Sequence, residues 1–158
     1  MTPPGWTTIS VDNDPRVSPD VLADVREWQY QGERPDLIWA SPPCTEFSRE
    51  FFPWTRTGRS PDMSIYLACR KIIDASRPRW WIIENTRGAV PYFGPYQAVF
   101  YPYYLWGRFP PLGRVDLIGR RHKDSYASTA KAERAKIPYA LSRAVAHAIA
   151  NHQLALSI

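Results

Sequence analysis

Cysteine is scarce in this 158-residue chain: Cys44 and Cys69 are the whole supply, beside three histidines. Two thiols build no disulfide framework, and so few soft ligands give no metal-binding pattern. No stretch reaches the roughly 18 consecutive apolar residues of a membrane span. The opening, MTPPGWTTIS, lacks a basic start followed by an apolar run, so no secretory signal is read there. There is no internal repeat. These absences predict a cytoplasmic, reducing setting with neither metal nor membrane as a partner.

Proline and tryptophan are plentiful instead, at 16 and seven residues. Many prolines mean many rigid turns. Many large aromatics fill a core or stack on flat ligands such as bases. The formal charge of +5 suits a polyanion, nucleic acid above all, and equally a soluble protein with surplus arginine. Hydrophobic residues at 44% and the chain length suit a single domain over residues 1–158.

Short strand-forming runs punctuate the first half. Thr7 to Val11 ends at the turn signal Asp12-Asn13-Asp14-Pro15, Val21 to Ala23 ends at Asp24, and Asp36 to Ala40 ends at two prolines. Arg79 to Ile83 (RWWII) is apolar without alternation, as in the middle of a covered parallel sheet, and ends at Glu84-Asn85. A helix opening at Pro61-Asp62 places Ile65, Ala68, Cys69, Ile72 and Ser76 on one face, which makes Cys69 core. Residues 86–136 read as loop, with Val115 to Ile118 as a candidate strand. A last helix runs from about Tyr139 to His152, entered through Ile137-Pro138. Strands alternating with helices predict an α/β layered fold.

Chemistry concentrates at two strand ends. Cys44 follows DLIWASPP, and Glu84 follows RWWII. A helical crossover between two strands makes them parallel and often adjacent, so their carboxyl ends lie side by side. A thiol beside a carboxyl group is a nucleophile with an acid. Two prolines before Cys44 restrict its backbone and present the sulfur in one pose. The competing reading is a small buried hydrophobe, the usual fate of a free cysteine.

The run Ser41-Pro42-Pro43-Cys44-Thr45-Glu46-Phe47-Ser48 resembles the catalytic Pro-Cys motif of the DNA cytosine-5 methyltransferases. Ile83-Glu84-Asn85-Thr86-Arg87-Gly88 resembles their Glu-Asn-Val motif, with threonine in place of valine. Val11 to Pro15 and Ala23-Asp24-Val25 are similar to the motifs after the family's second and third strands. Ile137-Pro138 with the closing helix is similar to its last motif, and Tyr103 to Gly107 resembles compact phage-like members. The motifs come in the family's order over most of the chain.

The resemblance implies a Rossmann-like fold that binds S-adenosyl-L-methionine, and DNA as substrate, in a bacterium or a phage-infected host. It assigns Cys44, Glu84, Asn85 and Pro43 to catalysis. Cys44 would attack carbon 6 of a flipped cytosine, Glu84 would protonate ring nitrogen 3, and Asn85 would support the Cys44 loop or the base. Asp12 with Asn13 would take the cofactor ribose, and Asp24 with Val25 its adenine, with Pro42 beside them. A carboxylate only accepts hydrogen bonds, which suits hydroxyl and amino partners. Read without the family, Asp12 and Asp24 are turn caps.

The chain departs from the family in three places. It has no Phe-x-Gly-x-Gly loop, and its opening is similar to the end of the family's first helix. The fold expected is therefore N-terminally truncated, lacking its first strand and helix, with a second chain as a candidate supplier of that unit. The family's Arg-x-Arg motif has no clear match; Arg108 or Arg114 is the candidate substitute. The recognition segment, about residues 91–135, is short and rich in loops. Further candidate DNA contacts are Ser48, Arg87, Arg120, Arg121, Lys131 and Arg134, with plain solvated charge as the alternative for the basic ones.

Overall fold

A computed structural model describes residues 5–51, 53–117 and 137–155. The chain divides into two compact units, Thr7–Arg108 and a second drawn from Met1–Trp6 with Phe109–Ile158. The architecture is mixed α/β, with a mixed sheet in the first unit.

The first unit opens with two short parallel strands, β1 (Val11–Asp12) and β2 (Val21–Leu22), which pair Val11 with Val21 and Asp12 with Leu22. A four-stranded sheet follows, in the order β3 (Leu37–Ala40), β4 (Trp80–Asn85), β6 (Tyr103–Arg108), β5 (Ala98–Phe100). β3 and β4 are parallel, with Ala40 beside Ile83, as the crossover argument expects. β6 runs antiparallel to both its neighbours. Among the described residues the two sheets are separate.

Two helices connect β3 to β4, where the sequence marks one. α1 (Thr45–Phe51) starts directly after Cys44. α2 (Ser64–Ser76) begins where the Asp62 carboxylate accepts the Ser64 N–H at 2.8 Å, and it buries Cys69 and Ile73. The buried line of α2 therefore passes through Ile73, with Ile72 only partly buried. Burial pushes the Cys69 thiol up to about 11, which keeps it protonated and inert, as a core residue should be.

The segment read as loop after residue 86 contains strands. β6 is an interior strand and buries Tyr103, Tyr104, Leu105 and Trp106 in succession. Gly107 lies beside Ile82, and a Cβ there would stand 2.1 Å from the Trp81 carbonyl oxygen, so only glycine permits this approach of β6 to β4. α3 (Val90–Phe93) precedes β5. Val115 to Leu117 form no strand, and Ile118 lies outside the described residues.

The core of this unit is aromatic. Phe93 stacks on Tyr66 at 3.9 Å and meets Phe47 and Trp106 edge-on at 4.9 and 5.1 Å. Phe47, only 2% exposed, anchors α1 and with it the Cys44 turn to the sheet. In the second unit α4 (Tyr139–Ala155) buries Leu141, Val145 and Ile149, the spacing read from the sequence.

Candidate functional site

The pairing of β3 with β4 ends at Ala40 and Ile83, and the residues that follow them, Ser41 and Glu84, meet through a side-chain hydrogen bond. Side chains alternate along a strand, so Trp39, Ser41, Ile82 and Glu84 share one face, and Asn85 points to the other. The indole Nε1–H of Trp39 donates to Ser41 Oγ at 3.0 Å. An indole N–H only donates, so the Ser41 proton is left for Glu84, whose carboxylate accepts it.

Glu84 is partly buried and its ordinary value of 4.5 rises to about 7. Burial causes the rise by penalising the charged form; the Ser41 hydroxyl opposes it by stabilising that form. Its neighbour on β6 is Leu105, which brings no charge. The carboxyl group is therefore divided between acid and base near neutral pH, the condition for efficient proton transfer.

On the opposite face Asn85 is 1% exposed. Its Nδ2 donates to the Pro42 carbonyl at 2.9 Å, and its Oδ1 accepts the Thr86 N–H at 2.9 Å. Neither Pro42 nor Pro43 has an N–H to extend the β3 ladder. The Asn85 amide supplies the tie that a backbone pair would otherwise make. Pro42 is buried, Pro43 and Cys44 are exposed, and the Cys44 carbonyl accepts the Ser48 N–H at 2.8 Å as the first bond of α1. The turn between β3 and α1 is thus pinned by Asn85 at Pro42 and by Phe47 in the core. At its tip stands an exposed thiol.

The strand ends of β1 and β2 also converge, with the Ala23 N–H donating to the Asp12 carbonyl at 3.0 Å. The exposed Asp12 carboxylate accepts the Asp14 N–H at 2.8 Å through Oδ1. Asp24 takes the Arg26 N–H and Nε–H on Oδ1, both at 2.9 Å, and its Oδ2 meets the guanidinium at Nη2. The Arg26 side chain, then its N–H, holds the Asp24 carboxyl down at about 2. Both aspartates therefore cap turns in this structure. Asn13 is exposed and Val25 partly buried beside them.

The remaining candidates lie apart. Ser48 sits 3.4 Å from the Thr86 hydroxyl, between α1 and the start of the turn after β4. Arg87 is exposed on that same turn. Arg108 pairs with Trp81 at the amino end of β4, and its Nη2 donates to the Pro78 carbonyl at 2.8 Å. It is three residues along β4 from Glu84, roughly 10 Å, and does not join the Cys44 turn. Arg114 is exposed beside Asp116 in the second unit. Arg120, Arg121, Lys131 and Arg134 lie outside the described residues.

Sequence reading gave no role to Trp39 and Ser41. Their two-residue spacing on a strand whose neighbour ends in Glu84 was the available signal. Among the described residues no group of three His, Cys, Asp or Glu side chains is placed to hold a metal ion, and no helix is long and apolar enough to cross a membrane. No protein-family model, curated protein or solved structure matches the chain.

Proposed function

We propose that this chain is the catalytic part of a DNA cytosine-5 methyltransferase. One observation carries the reading: parallel strands bring the Cys44 turn against Glu84 and Asn85, and the Asn85 side chain holds the turn through the Pro42 carbonyl. The order of the sequence motifs supports it, as does a sheet whose parallel pair β3–β4 carries both motifs at its carboxyl end.

In this reading the Cys44 sulfur adds to carbon 6 of an extruded cytosine and breaks the carbon 5–carbon 6 π bond. The displaced electron pair moves toward nitrogen 3, where the Glu84 proton meets it. Carbon 5 is left electron-rich. Once carbon 5 carries a methyl group, a water molecule takes its remaining proton, the carbon 5–carbon 6 double bond re-forms as Cys44 leaves as thiolate, and nitrogen 3 returns its proton to Glu84. Asn85 acts through the turn and fixes where the sulfur stands.

S-adenosylmethionine, the donor implied by the resemblance, supplies an electrophilic methyl group when bound. The described residues fit its ribose, since only Oδ1 of Asp12 is engaged among them. They do not fit its adenine as they stand, because Arg26 occupies both Asp24 oxygens. That occupancy favours a second reading: a DNA-binding chain that transfers no methyl group alone and needs a second chain to complete the donor site. Methyl transfer from labelled donor to duplex DNA tests the first reading, with Cys44→Ala abolishing it. Calorimetry with the donor separates the two, since heat of binding by this chain alone supports the first and its absence supports the second.

A further inference from the structure

The second unit carries a groove of about 360 Å³ that the catalytic reading leaves unused. One wall is Arg114–Asp116 and the other is the face of α4 bearing Tyr139, Arg143 and His147. These three helix residues are four apart, so they stand in line, about 6 Å per step. Arg143 and His147 are exposed, as is Tyr139. This line is distinct from the buried one through Leu141, Val145 and Ile149.

The charges in the groove are two guanidiniums against one carboxylate. Among the described residues Arg143 makes no ion pair. Among the described residues Arg114 meets Asp116 alone, at 3.3 Å, and both are well exposed, so that contact is weak and exchangeable. A guanidinium presents a planar fork that matches phosphate oxygens. Tyr139 and His147 add an O–H and a ring N–H on either side of Arg143 along the same face. Cations set one helical turn from further donors fit successive phosphates of one strand better than a single compact anion. The chain's +5 charge favours the same partner.

We propose that this groove is a nucleic-acid backbone contact. Arg143 and Arg114 each take a phosphate, Tyr139 and His147 donate beside them, and Asp116 restrains Arg114 in the free protein. The choice of duplex DNA as the nucleic acid rests on the proposed function; the groove chemistry does not.

The test is fluorescence anisotropy of a labelled DNA duplex against salt concentration, with the full chain, its Arg114→Gln/Arg143→Gln variant and its Asp116→Asn variant. Each phosphate contact contributes about 0.9 to the slope of log affinity against log salt. The double variant should lose roughly 2 from that slope. Asp116→Asn should bind roughly two- to fivefold tighter at low salt, a gain that misfolding cannot produce. An unchanged slope, no gain from Asp116→Asn, or no duplex binding at all overturns the proposal. So does complete competition by millimolar inorganic phosphate, which would mark a small-anion site. Failure of the two readings is distinguishable. Groove-dependent binding without chemistry at cytosine keeps the groove and removes the methyltransferase. Chemistry at cytosine with groove variants binding as wild type does the reverse.

Discussion

Two pairs of strand ends in the first unit carry acidic residues, and they are built differently. At the ends of β3 and β4, Glu84 and Asn85 lie on a strand flanked on both sides, and the links that tie the two ends together are long-range: Asn85 to Pro42, Ser41 to Glu84, Phe47 to Phe93. At the ends of β1 and β2, two-residue strands carry Asp12 and Asp24, whose partners are only two residues away. The first site is fixed by the fold, while the second is fixed by local turns. Local turns stabilise little and rearrange readily, whereas a buried amide that ties two segments is costly to lose. The thiol end is therefore preorganised, and under the proposed function the β1–β2 end has to open at Asp24 before that carboxylate meets a donor.

The largest effect should come from breaking the buried tie. Asn85→Ala leaves the Pro42 carbonyl and the Thr86 N–H without their partner and should destabilise the chain by about 2–3 kcal/mol, read by urea unfolding. Turnover should fall roughly 100-fold if the turn positions the sulfur. A loss of stability with turnover intact would make Asn85 structural only.

Glu84→Gln should sharpen the contrast with pH. A carboxyl raised from 4.5 to about 7 keeps its proton in the folded chain while the unfolded chain has released it. Stability from this group is thus undiminished below about 4.5 and falls as pH rises to about 7. Glutamine escapes that loss. The variant should match wild type at pH 4 and exceed it at pH 8 by about 2–3 kcal/mol, measured by unfolding at each pH. Equal stability at pH 8 would mean that Glu84 is not desolvated. Ser41→Ala removes the one hydrogen bond that favours the charged form, so the Glu84 carboxyl should titrate above about 7 in a carbon-13 NMR titration. A downward shift would reverse the assigned donor.

The smallest effect belongs to the other pair of ends. Arg26→Ala removes the guanidinium from both oxygens of the partly buried Asp24 carboxylate and leaves only the backbone N–H of residue 26 on Oδ1. Stability should change by less than about 1 kcal/mol, and donor affinity in calorimetry should rise a fewfold if Asp24 is its adenine contact.

The strand ends were legible in the sequence because RWWII and DLIWA are unbroken apolar runs that stop at prolines or acids. Their parallel pairing follows from the crossover alone. β6 was hidden for an equally physical reason. Tyr103 to Trp106 is as unbroken an apolar run as RWWII, but Pro102 and Gly107 at its ends carry turn signals inside a segment rich in glycine, proline and tyrosine. Gly107 serves close strand approach instead. The Asn85–Pro42 bond spans 43 residues and leaves no mark in local pattern. The guanidinium over Asp24 was the nearest of signals, two residues on, yet spacing alone does not say whether a carboxylate is already taken.

Under the proposed function Cys44 adds to a cytosine ring and Glu84 protonates it. The direct measurement is release of tritium from carbon 5 of cytosine in duplex DNA with no methyl donor present. Addition at carbon 6 followed by protonation at carbon 5 exchanges that hydrogen with water. Release by the wild-type chain, lost in both Cys44→Ala and Glu84→Gln, is the predicted result. Release that persists in Cys44→Ala, or a folded, DNA-bound wild-type chain that releases none, would contradict it.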